Sequence, residues 1–177
     1  MKGFMLGILT MILLLALGAL FGYMGFVNMR ADNPPSKLET NLAGHAMDAS
    51  VARAAPKLTN PVAADEANLV AGAHLYREHC ALCHGDGAHP KSPFAESLNP
   101  PAPQFATDMA DMPENQNFYI VQHGIRWTGM PGWKTVLNEQ QTWQLVTFLS
   151  HMHELPVSAK QVFMDTAPPT PPSSNSY

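Results

Sequence analysis

Cysteine is scarce: Cys80 and Cys83 are the only two in 177 residues. A structural zinc site draws on about four ligands, usually in two paired sets, and with no second Cys pair such a site is unsupported. Charge is also sparse, at 14% of residues with a net value of -4, which argues against nucleic-acid binding and against docking to acidic surfaces. No stretch carries a convincing alternating strand pattern, so the expected fold class is all-α. Nor is there a catalytic carboxylate pair, a nucleophile–base pair or a second metal-ligand cluster, and the chain therefore does not read as an enzyme.

No charged residue occurs from Gly3 to Val27, in GFMLGILTMILLLALGALFGYMGFV. At about 1.5 Å per residue this run crosses a hydrocarbon layer roughly 30 Å thick. It exceeds the 7–15 apolar residues of a cleavable signal, so an uncleaved anchor over 1–29 is expected. Lys2 favours the inner side by the positive-inside rule, placing Asn28 onward outside the membrane. Gly3, Gly7, Gly18, Gly22 and Gly25 fall within a roughly 100° arc of a helical wheel, a small-residue face suited to packing against other transmembrane subunits.

Residues 30–66 read as a linker. Pro34 and Pro35 end the membrane helix; Leu38, Leu42, His45, Ala46 and Ala49 then recur at helical spacing, giving a short spacer helix that ends near Pro56. A domain is expected over 67–156 and a Pro/Ser-rich tail over 157–177, extended or disordered from Thr166. Within the domain, ANLVAGAHLYREHC reads as a helix with Leu69, Gly72, Tyr76 and His79 near one face. Pro113 and Gly124 bracket a second helix. Asn138 with Gln141 forms a capping box for a third, whose apolar stripe is Trp143, Val146, Leu149 and Met152, with Pro156 as its stop.

The two cysteines lie in EHCALCHGDG, Glu78 to Gly87. A redox dithiol belongs in a βαβ context and needs no histidine at this offset, whereas C-x-x-C-H reads as covalent attachment of a c-type haem. Cys80 and Cys83 would form the thioethers and His84 the proximal iron ligand. A domain this small is marginal on its own core, and a haem gives it a large apolar body to pack around. Attachment of c-type haem is an outside event in bacteria, which agrees with a periplasmic domain on a single-pass anchor in the cytoplasmic membrane.

AGAHLYREHCALCHGDG, IVQHGIRWTGMPGW and LNEQQTWQLVTFL together resemble a class I monohaem cytochrome c, over about Asn68 to Glu154. The resemblance implies that the first and last helices cross at Gly72 and Tyr76 with Trp143 as the opposing bulk. It implies Met130, in TGMPGW, as the distal ligand, and Pro103 or Pro100 as the carbonyl acceptor for the proximal histidine. Arg126, Trp127 and Trp133 flank the ligand loop and are candidates for pairing with or covering the haem propionates. Met109 and Met112 are expected to pack or fold over the haem edge, and His123 to be a surface or propionate-facing imidazole. The implied activity is one-electron transfer, between an upstream quinol-oxidising complex or dehydrogenase and a downstream oxidase, as carrier or as subunit of a respiratory complex. The alternative is a peroxidase-like or gas-binding haem protein with a labile sixth ligand.

Overall fold

The computed structural model describes residues 2–166 and divides into two units, 1–33 and 34–177. The first is dominated by α1 (Lys2–Tyr23), whose mean hydropathy of 2.6 and 22 residues make it long and apolar enough to cross a membrane. Gly3, Gly7, Gly18 and Gly22 lie in this helix. Gly25 does not: the helix has ended and Gly25 sits at φ +78°, so the glycine face is four residues long.

Among its described residues the second unit contains helices and no strand. In order it comprises α2 (Lys37–Ala54), α3 (Glu66–His79), the one-turn α4 (Ala81–His84), a 3-10 turn at Ala95–Ser97, α5 (Glu114–His123), α6 (Glu139–Ser150) and α7 (Val157–Met164). α2, α3 and α6 each start on a residue whose side chain accepts from an orphan N–H group. Asp65 accepts from Asn68 N at 2.9 Å, and Asn138 and Gln141 bond reciprocally at 2.9 Å each. Ser36 and Glu39 form a second capping box, opening α2. Pro113 precedes α5 rather than forming its first residue, and Gly124 ends it at φ +68°.

The centre of the domain is the crossing of α3 and α6. Glycine is required at position 72, because a Cβ there would stand 2.6 Å from Phe148 Cβ and closer still to the Gln144 carbonyl. The opposing bulk is therefore Phe148. Trp143, one turn earlier, turns instead to α5 and stacks on Phe118 with ring centroids 4.1 Å apart. Tyr76 is wholly buried, with its ring 5.3 Å from Phe148 and 5.7 Å from Phe163. The stripe on α6 is also broader than expected: Leu145 and Phe148 are fully buried beside Trp143 and Val146. That helix ends at Ser150, six residues before Pro156, in a turn where His151 N bonds back to Thr147 and Phe148.

Residues assigned to the linker and the tail pack on this domain. Val51 and Ala55 are buried, Val62 packs against the Phe118–Trp143 cluster, and Asn60 Nδ2 donates to Thr147 Oγ1 at 2.8 Å. In the segment read as the start of a Pro/Ser-rich tail, α7 buries Ala159 and Phe163 and is held to α3 by Arg77–Asp165 at 3.0 Å and Ser158–Glu66 at 2.6 Å. The apolar side chains decide both cases, since burying each large one stabilises by roughly 1.5–3 kcal/mol. The expected extended tail beyond Thr166 lies outside the described residues.

Candidate haem site

Cys80 ends α3, where its N–H donates to Tyr76 O at 2.8 Å, and it also opens α4. Cys83 N and His84 N both donate to Cys80 O, at 3.0 and 2.9 Å, so the motif is one tight helical turn. The turn ends at Gly85, φ +74°, where a Cβ would stand 2.9 Å from His89 O. Asp86 then closes the following loop, its Oδ1 accepting from Ala88 N at 2.9 Å and from His89 N. Two positions on, a side chain at Gly87 would collide with Phe163 and Met164 of α7.

The last carbonyls of a helix have no partner within it. Here those of residues 82–85 each meet a side-chain donor. Ser92 Oγ donates to Leu82 O, and Gln104 Nε2 donates to Cys83 O at 3.0 Å. The Tyr76 hydroxyl donates to Gly85 O at 2.8 Å, with His84 O at 3.2 Å sharing it. Burial pushes the Tyr76 phenol far above its ordinary range, with Cys80 and Asp86 adding to the shift, so it stays a protonated donor.

His84 is 9% exposed. Its Nδ1 donates to the carbonyl of Pro103 at 2.8 Å, and its ring stacks on Phe105 with centroids 4.7 Å apart. Of the two prolines left open by the sequence, Pro103 is thus the one in contact. Burial lowers the His84 pKa and the Pro103 bond partly offsets it; the imidazole is neutral, with Nε2 left to bind a metal. Neither cysteine is in a disulfide. Burial, then the neighbouring Cys83, pushes the Cys80 thiol up to about 12, and burial raises Cys83 as well. A redox dithiol needs a lowered pKa to be nucleophilic, so these shifts oppose that chemistry. Two cysteines on one turn beside a buried neutral imidazole are the donor set that covalent haem attachment requires, and the residues fit the group.

Residues 67–149 match the family model described as cytochrome C oxidase, cbb3-type, subunit III. The domain is a c-type cytochrome. No curated protein matches the chain. A cytochrome domain of this type carries a covalently bound c-type haem, and the N-terminal helix ahead of it is long and apolar enough to cross a membrane.

The remaining candidate residues of the cytochrome lie on the loop after α5. Ile125 N donates to Met130 O at 3.1 Å, Met130 N to Thr128 Oγ1 at 3.1 Å, and Trp133 N to Val121 O at 2.9 Å. The loop is thereby folded back on the end of its own helix, so closely that a Cβ on Gly124 would stand 2.6 Å from Gly132 N and Met130 O. Beside Met130, a Cβ on Gly129 would meet Leu98 at 2.8 Å. Leu98 belongs to the same loop that carries Pro103, so one segment touches both the Met130 turn and His84.

The flanking residues divide. The Trp133 ring lies 5.0 Å from that of His79 and packs on the main core. Arg126 lies 6.0 Å from the exposed Trp127 ring, and Trp127 is held at φ +62°. His123 is exposed and packs against Tyr119 at 4.6 Å, while Met109 is 70% exposed. The contributions of Ser92 and Gln104 were not foreseen. Their only signal is that polar residues occur in an otherwise proline-rich loop.

Proposed function

We propose that the protein is a membrane-tethered one-electron transfer subunit of a respiratory complex, with a single haem held by His84 and Met130. The observation that carries this reading is His84: buried, neutral, oriented through Nδ1 by Pro103 and adjacent to two cysteines on one helical turn. A bound c-type haem supplies an iron that gains and loses one electron. Cys80 Sγ and Cys83 Sγ would hold the group by thioether bonds, and His84 Nε2 would be a ligand to its iron. The proton stays on His84 Nδ1, where the Pro103 carbonyl fixes the ring plane and raises the basicity of the ligand. The Met130 thioether would be the second ligand, which would favour the reduced iron more than a second imidazole does and so raise the potential. Arg126 and Trp133 serve the propionate side, Arg126 by its charge and Trp133 by excluding water.

In this reading α1 inserts into the bacterial cytoplasmic membrane with Lys2 inside and the cytochrome domain on the periplasmic face. The description of the matching family supports a terminal oxidase as the downstream partner, with electrons arriving from a quinol-oxidising complex or a dehydrogenase. The four-glycine face of α1 packs against a transmembrane helix of that assembly.

The test is the absorption spectrum of the purified protein. Low-spin iron, the weak far-red sulfur-to-iron band in the ferric state and no reaction with carbon monoxide in the ferrous state are expected. Met130→Ala should remove the band and admit carbon monoxide. A wild-type protein that binds carbon monoxide or lacks the band contradicts the ligand assignment.

A further inference from the structure

The loop after the haem-binding turn is pinned to that turn by one side chain using all its polar atoms. Gln104 Nε2 donates to Cys83 O at 3.0 Å and to Ala102 O at 2.8 Å, and its Oε1 accepts from Ser92 N at 2.6 Å. Ser92, only 7% exposed, completes the bracket by donating from Oγ to Leu82 O. Pro103 lies between Ala102 and Gln104, the two residues this amide ties down. Its carbonyl belongs to the peptide that joins it to Gln104, so the side chain of Gln104, together with the turn in which Gln104 O accepts from Thr107 N and Asp108 N, governs where it points.

We infer that Gln104 is a positioning residue for the proximal ligand: it holds the Pro103 carbonyl against His84 Nδ1 and thereby sets the electron-donating strength of the imidazole. This rests on the reading of His84 as the axial ligand. A hydrogen bond from Nδ1–H to a carbonyl gives the ring more imidazolate character, and a more basic ligand favours ferric iron. Releasing the carbonyl weakens that bond and moves the equilibrium toward the ferrous state. The bracket also ties ligand orientation to the attachment turn, since the same amide that aims Pro103 caps the Cys83 carbonyl.

The experiment uses the full-length holoprotein in detergent and two variants. Gln104→Leu keeps approximate size and removes every polar contact. Gln104→Ala removes both donors and the acceptor without adding a charge. Two quantities are read: the reduction potential, and the solvent exchange of the His84 Nδ1 proton by NMR in the ferrous state. Both variants should shift the ferric–ferrous equilibrium at least threefold toward ferrous, about 28 mV upward for a one-electron couple, and speed exchange of that proton at least tenfold. A purely structural role would lower the melting temperature and leave both quantities at wild-type values in either variant that assembles, and that result overturns the proposal. If neither variant retains haem, the same readings on Ser92→Ala decide it, with smaller shifts of the same sign expected and wild-type values again overturning it. A wild-type protein without a His/Met spectrum defeats the ligand reading first and takes this proposal with it. A wild type with that spectrum and unshifted variants defeats this proposal alone.

Discussion

Replacing Gly72 by alanine should destabilise the domain, while the same change at Gly44 should stabilise it. Both glycines lie inside helices, α3 and α2, where alanine is worth roughly 0.5–1 kcal/mol over glycine. They differ in what the added methyl meets. At Gly44 nothing lies within 4 Å, so the propensity gain stands alone. At Gly72 the new Cβ would stand 2.6 Å from Phe148 Cβ and nearer to the Gln144 carbonyl, whereas carbon atoms in favourable contact are about 3.5–4.0 Å apart. The opposing atoms are backbone and Cβ, which no rotamer change can withdraw. Relief therefore requires α3 and α6 to part by about 1 Å, loosening a crossing that buries Tyr76, Leu145 and Phe148. Overpacking of this kind costs about 1–3 kcal/mol; after the propensity gain the net loss is about 1–2 kcal/mol. For a domain of roughly 100 residues each kcal/mol moves the midpoint by about 4–8 °C. Thermal melting followed by far-ultraviolet circular dichroism should thus show Gly72→Ala melting about 4–16 °C below wild type, and Gly44→Ala a few degrees above it. A Gly72→Ala midpoint at or above wild type would refute the close helix crossing.

Tyr76→Phe keeps the ring among Phe148 and Phe163 but leaves the carbonyls of His84 and Gly85 without their donor; about 1–3 kcal/mol should be lost, measured by urea denaturation. Cys80→Ser and Cys83→Ser should each weaken covalent retention of haem, and the double replacement should lose it on acid-acetone extraction, read from the absorbance left with the polypeptide. Asn60→Ala, which removes the bond to buried Thr147, should expose the segment between α2 and α3 to limited proteolysis faster than wild type, as followed by mass spectrometry. Gly18→Leu with Gly22→Leu should release the cytochrome from its partners in mild detergent with the haem spectrum unchanged. Co-purification at wild-type levels would make α1 a plain tether.

Local signals carried most of the fold. The Asn138 cap, the Pro113–Gly124 bracket and the uncharged run after Lys2 are local signals, and each marks an element observed in place. Ser36 and Glu39 are an equally local pair that opens α2, at the spacing of a capping box, beside two prolines that drew attention to themselves. What escaped depends on distance along the chain. The resemblance sets Trp143 against Gly72, yet in the structure Phe148 makes that contact and Trp143 stacks on Phe118. The segment from Val157 was grouped with the prolines that follow it, although Ala159, Val162 and Phe163 have helical spacing; their burial against α3 gives the helix its reason to form. At the haem turn, C-x-x-C-H specified the attachment chemistry without any neighbour. The side chains that cap its carbonyls come from positions 76, 92 and 104, and no periodicity links them. Choosing Pro103 over Pro100 likewise required the folded loop.

The proposed function needs a single haem that exchanges one electron, and the direct test is a potentiometric titration of the purified holoprotein followed at the haem absorption bands. It predicts one reversible wave with a one-electron slope, superimposable in the oxidative and reductive directions and unaltered by carbon monoxide. Two waves, hysteresis between the directions, or a midpoint that moves when carbon monoxide is added would contradict it.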